Sequence, residues 1–85
     1  MELIPTTRYN RSFRKLTKNN KPLGESIIKT LLVFKNSPGK PSLRLHKLSN
    51  LNTWRISVNM SIRIIFLYQQ DKVILLDIGD HSIYD

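Results

Sequence analysis

The chain has 85 residues, 40% apolar and 24% charged, which suits one domain around a modest core and excludes two independently stable units or wholesale disorder. It has no cysteine, which rules out a disulfide framework or a thiolate metal site. It has neither a signal-peptide pattern after Met1 nor an apolar run near the roughly 20 residues that span a bilayer. A single domain over residues 1–85, cytoplasmic and without membrane contact, is the expectation.

The formal net charge is +8, and it is unevenly placed. Residues 1–63 hold 13 of the 14 Lys/Arg and 2 of the 6 Asp/Glu, a net of +11, whereas residues 64–85 hold one and four, a net of −3. Such a balance calls for an anionic partner, and nucleic acid is the first candidate ahead of an acidic protein or membrane.

In chain order, Leu3-Ile4 ahead of Pro5 predicts a short strand at or near a sheet edge, because proline lacks the amide a ladder needs. Thr6 and Thr7 are good N-caps, and Tyr9, Phe13 and Leu16 recur at i, i+4 and i+7, which predicts a first helix to about Lys18. Its other faces carry Arg8, Arg11, Arg14, Lys15 and Lys18. Asn19, Asn20 and Pro22 break and restart the chain, and residues 23–34 show a wide apolar face at helical period that ends at Asn36-Ser37-Pro38-Gly39. They predict a second helix, mostly core.

Beyond Pro41 the period becomes two. Leu43 to Leu48 predicts a strand, Ser49 to Thr53 a turn, and Trp54 to Val58 a strand with Trp54, Ile56 and Val58 on one face and Arg55 and Ser57 on the other. Asn59 to Ser61 is a turn, and Ile62 to Tyr68 and Lys72 to Ile78 are apolar strands joined at Gln69-Gln70-Asp71. Those two strands read as central and covered on both faces. The fold class is α+β: a short N-terminal strand, a two-helix hairpin, then a four-stranded antiparallel meander packed on the helices, with the other sheet face open to bind a partner.

No Gly-rich phosphate loop, metal-spaced His/Cys cluster or paired carboxylates flank a cleft, so no cofactor and no metal are expected. Polar residues inside or just after apolar strands remain: His46, Lys47, Arg55, Arg63, Asp77, His81 and Tyr84. Arg63 interrupts Ile62 to Phe66, where a cation either pairs with a carboxylate, Asp77 being the obvious one, or opens onto a wet surface to meet phosphate. Arg55 is either solvated or a bidentate clasp for two phosphate oxygens. His46 and His81 are the only histidines; they are either structural or a pair that shares proton removal and delivery near neutral pH. Tyr84 either packs on the sheet or stacks on a base.

The run Lys29 to Leu32, the segment Ser42 to Leu48, then Trp54 to Asn59, Arg63 to Phe66 and Leu76 to His81 together resemble the RelE/ParE toxins of bacterial toxin–antitoxin pairs, in an order that covers nearly the whole chain. The resemblance implies the same strand, helical hairpin and antiparallel sheet, a cognate antitoxin that wraps the toxin, and, in the RelE- and YafQ-like branches, mRNA cleavage in the ribosomal A site. Arg55 and Arg63 match positions where such nucleases stabilise charge on the scissile phosphate, His46 and His81 match acid–base histidines of the YafQ-like branch, and Tyr84 resembles a C-terminal aromatic near the cleaved nucleotide. Arg44 and Lys47 join Arg55 and Arg63 as the expected phosphate contacts.

The chain departs from those branches at Ser57, where RelE has a second catalytic lysine, at Ser42, where YoeB-like members have a glutamate, at Ile62, where a tyrosine is common, and in the close spacing of Tyr84 to His81. The reaction implied is metal-free attack of an RNA 2′-hydroxyl on the adjacent phosphate. The alternative is a ParE-like inhibitor of DNA gyrase without nuclease chemistry, and a third reading is a basic RNA-binding module that cleaves nothing.

Overall fold

The structure is a computed structural model that describes residues 1–48 and 52–84 and, of His81 and Tyr84, the backbone. Strand β1 (Glu2–Pro5) leads into helices α1 (Thr7–Thr17) and α2 (Lys21–Asn36), a 3-10 turn η1 (Pro41–Leu43), strands β2 (His46–Lys47), β3 (Thr53–Ser57), β4 (Arg63–Gln69) and β5 (Lys72–Gly79), and a second 3-10 turn η2 (His81–Tyr84). The strands form one sheet in the order β1-β5-β4-β3-β2, with β1 parallel to β5 and the other pairs antiparallel. The expected α+β class, with an edge strand followed by a four-stranded meander, is the observed one.

Local chemistry explains the helix boundaries. Thr6 is extended and its hydroxyl accepts from the Tyr9 amide at 3.1 Å, which makes it the N-cap of α1. The same hydroxyl donates to the Leu75 carbonyl at 2.8 Å, so one side chain starts the helix and ties it to β5. Asn19 takes the left-handed conformation, φ 59, which asparagine tolerates better than most residues. Asn20 then caps α2 through the Leu23 amide, with Pro22 in the first turn, where its missing amide costs nothing.

The core lies between α2 and the sheet. Ile27 and Phe34 of α2 and Ile56, Ile64, Phe66 and Ile78 of the sheet are all at most 2% exposed, and the Phe34 and Phe66 rings meet at 4.9 Å. Full burial of each such side chain contributes about 1.5–3 kcal/mol. The expected cover on both faces of the central strands is only partial: Ile64 and Phe66 belong to the core cluster, whereas on the other face Ile65 is 7% exposed but Leu67 and Ile74 are half-buried.

Two further expectations need correction, and one of the two readings of Arg63 falls. The strand expected over residues 43–48 shrinks to His46–Lys47, because Pro41 opens a 3-10 turn, Leu43 is drawn into the core and Arg44 turns left-handed at φ 50. The second helix is less of a core element than its apolar face implies, since Ile28 and Leu32, one turn apart, are 53% and 56% exposed. The Arg63–Asp77 pair does not form: β4–β5 pairing sets Arg63 opposite Gly79, and α1 supplies the partners of Asp77. Arg8 Nε lies 3.1 Å from one carboxylate oxygen, and the Ser12 hydroxyl and Ile78 amide donate to the other at 2.6 and 2.8 Å. The turn expected over residues 49–53 falls, for 49–51, outside the described residues.

Candidate nucleic-acid interface

Residues directly opposite in paired strands point to the same side of a sheet, so the register sorts the site residues by face. His46 pairs with Arg55 and Arg55 with Ile65; in the next row but one, Ser57 pairs with Arg63 and Arg63 with Gly79. Arg55, Ser57, Arg63 and His46 therefore share the face away from the core, as the alternation along β3 requires. Sheet spacing sets the Cα atoms of Arg55 and Arg63 about 8 Å apart and those of His46 and Arg63 about 12 Å apart.

Lys47 parts from this set. It pairs with Trp54, which with Phe66 and Tyr68 lines the helix side, and its ammonium stands 5.8 Å from the Trp54 ring centroid. A cation over an indole face is a structural contact in its own right. Arg44 also lies apart from the sheet row, on the exposed exit from η1.

The two sheet arginines are held differently. Arg63 donates from Nη1 to the Met60 carbonyl at 3.0 Å, which anchors its planar fork at one corner. The β3–β4 turn that supplies this carbonyl is fixed by Asn59, whose side-chain oxygen accepts from the Ser61 and Ile62 amides at 2.8 Å each. Arg55 reaches the Ser57 hydroxyl only at 3.5 Å, a weak contact.

The face is not wholly open. A Cβ on Gly79 would lie 2.5 Å from Ile83 Cγ2, so η2 folds back over β5 on the side that Arg63 shares. The missing side chain at Gly79 is what admits it. The backbone of residues 81–84 is thereby brought beside Arg63, at the far end of the row from His46, which is about 16 Å from Gly79. The roles expected of the His81 and Tyr84 side chains lie outside the described residues. Among the described residues no group of three or more His, Cys, Asp or Glu could hold a metal, and no helix is long and apolar enough to cross a membrane.

Sequence reasoning passed over a polar stripe on α2. Ser26, Lys29 and Thr30 face Lys40 and Ser42 across a cavity of about 370 Å³ that reaches Ser57. The i, i+3, i+4 spacing of these polar residues along the helix was the available signal.

No family model and no curated protein sequence matches the chain. Solved structures do match. A copper-bound variant of a toxin from Helicobacter pylori superposes with TM-score 0.76 at 24% identity, covering 100% of this chain and 99% of that one. A YoeB/ParE toxin from Agrobacterium tumefaciens gives 0.79 at 13% identity over 95% and 99%. YafQ in the Escherichia coli DinJ–YafQ complex gives 0.75 at 15% identity over 96% and 94%. Identities this low speak for architecture, and the chain has the α+β, RelE-like fold of the YoeB, YafQ and ParE type of toxin.

Proposed function

We propose that residues 1–85 form the single domain of a type II toxin, a ribosome-dependent mRNA endoribonuclease held in check by a cognate antitoxin. The observation that carries this reading is the cationic row on the sheet face away from the core. Arg55 and Arg63 stand side by side, with His46 at one end and the backbone of η2 at the other. Neighbours of this fold include a YafQ solved with DinJ, which supports an antitoxin partner. The net charge of +8 suits mRNA in the ribosomal A site, and cytoplasmic action follows from such a substrate.

In the proposed reaction the RNA 2′-oxygen attacks the adjacent phosphorus. A new P–O2′ bond forms, the P–O5′ bond breaks, and the products are a cyclic phosphate, opened by water to a 3′-phosphate, and a 5′-hydroxyl. One proton leaves the 2′-hydroxyl and one arrives at O5′. His46 and His81 are assigned these transfers, and their places at opposite ends of the row suit an acid and a base that must act on opposite sides of phosphorus. Arg55 and Arg63 stabilise the charge that grows on the non-bridging oxygens. Tyr84 is assigned to the nucleotide beside the cut.

A translating bacterial extract with a defined mRNA, mapped for new 5′ ends by primer extension, tests this directly. Codon-phased cuts that vanish in Arg63→Ala and His81→Ala are expected. Intact mRNA together with growth arrest and DNA damage in cells would replace this reading by gyrase poisoning.

A further inference from the structure

The groove between η1, the middle of α2 and the end of β3 is outside the row described above, and the geometry points to a subsite there for the RNA backbone next to the scissile phosphate. This inference rests on the ribonuclease reading and gives the substrate strand a direction across the protein.

Three observations carry it. The cavity of about 370 Å³ sets the ammonium-bearing Lys29 and Lys40 among the hydroxyl-bearing Ser26, Thr30 and Ser42 and ends at Ser57, and among the described residues no carboxylate lines it. It continues into a hollow of about 160 Å³ bordered by Arg44 and Asn59, which shares Ser42 and Ser57 with it and, among the described residues, again has no carboxylate. Ser57 itself stands directly opposite Arg63 in the β3–β4 register, about 5 Å away between Cα atoms. The groove is thus a continuation of the cationic row.

The chemistry selects a sugar–phosphate chain. Lysines bind phosphate as point charges, and hydroxyls donate to its oxygens without a fixed direction. Thr30 already spends its proton on the Ser26 carbonyl at 2.8 Å, which fixes that side chain along the wall. Such a site contacts every RNA sequence alike, since phosphate contacts position the strand and carry no base information.

The test uses the full chain and uncleavable 2′-O-methyl oligonucleotides of two, four and six residues, with binding read by fluorescence anisotropy across a salt series. Wild-type affinity is expected to rise with length as the strand reaches the groove. The Lys29→Ala/Lys40→Ala double variant should lose that gain, and its plot of log K against log salt should flatten by about 1.4, the value for two single-strand phosphate contacts. Arg11→Ala/Arg14→Ala removes the same charge from the exposed face of α1 and should keep the length dependence. Equal losses in both double variants, or no gain in wild type beyond the dinucleotide, would overturn the subsite, as would tighter binding of a poly-glutamate peptide than of the oligonucleotides. Groove-dependent binding by a wild type that cuts no mRNA would remove the nuclease reading and leave the subsite standing. Cleavage without any length dependence would do the reverse.

Discussion

Arg63 stands opposite Gly79 across the β4–β5 pair, and Ile83 occupies the space that a Gly79 side chain would need. The seat of η2 and the position of the central arginine are therefore one structural feature. Gly79→Ala drives a methyl group to 2.5 Å from Ile83 Cγ2, on a β-branched side chain with little freedom to yield. Overpacking of this kind costs about 1–3 kcal/mol. Because η2 is a single short 3-10 turn, the strain is relieved by its displacement. Thermal denaturation should show a fall of up to about 10 °C, while mRNA cleavage should drop far more than stability does. Wild-type cleavage by Gly79→Ala would show that η2 has no part in the reaction.

Removal of the arginine itself separates fold from chemistry. Among the described residues Arg63 makes one side-chain hydrogen bond, to the Met60 carbonyl, whose loss costs about 0.5–1.5 kcal/mol. A preorganised charge donor at the reacting phosphate is worth about 10²–10³ in rate. Arg63→Ala should melt within a few degrees of wild type and lose nearly all cleavage, and Arg63→Lys should recover part of it, because lysine returns the charge without the bidentate fork. Full activity in the alanine variant would end the role assigned to this residue.

Much of the fold was legible because it depends on near neighbours. The Thr6 cap needs only the Tyr9 amide three residues on, and the alternation of Trp54 and Ile56 against Arg55 and Ser57 is a property of five consecutive residues. What escaped were contacts between elements, whatever their separation along the chain. Asp77 is satisfied by Arg8 and Ser12, more than sixty residues away, although Arg63 is far closer along the chain. Lys47 follows His46 directly, yet alternation sends it to Trp54 and the opposite face. Ile83 over Gly79 and the groove lined by Lys29 and Lys40 likewise arise only once the elements have packed.

Asp77 gives a graded series on the stability of the α1–β5 contact. Its carboxylate accepts from the Ser12 hydroxyl at 2.6 Å and the Ile78 amide at 2.8 Å, and it pairs with Arg8, whose side chain is 75% exposed. Charge-assisted hydrogen bonds contribute about 1.5–3 kcal/mol, whereas an ion pair with so exposed a partner contributes at most about 1 kcal/mol. Chemical denaturation should rank the variants Asp77→Ala, Ser12→Ala, Arg8→Ala from most to least destabilised. A loss in Arg8→Ala as large as that in Asp77→Ala would mean that the ion pair, and not the hydrogen bonds, clamps the helix.

Tyr9 supplies a pH test of the core. Its ring is 4% exposed and its hydroxyl is buried without a hydrogen-bond partner among the described residues. Burial disfavours the phenolate and pushes the group up from 10.0 to about 12. Since the folded value lies above the unfolded one, its contribution is fully present below pH 10 and is lost as pH rises from 10 to about 12, by about 1.4 kcal/mol per unit within that window. Tyr9→Phe removes both the titration and the unpartnered hydroxyl while it keeps the ring beside Phe13, 6.2 Å away between centroids. At neutral pH the variant should be as stable as wild type or more so, because a buried polar group without a partner costs about 1–3 kcal/mol. The difference between the two proteins should then widen in favour of phenylalanine above pH 10. A clear loss of stability at pH 7, or parallel curves up to pH 12, would place the hydroxyl in a hydrogen bond or in water and so contradict its burial.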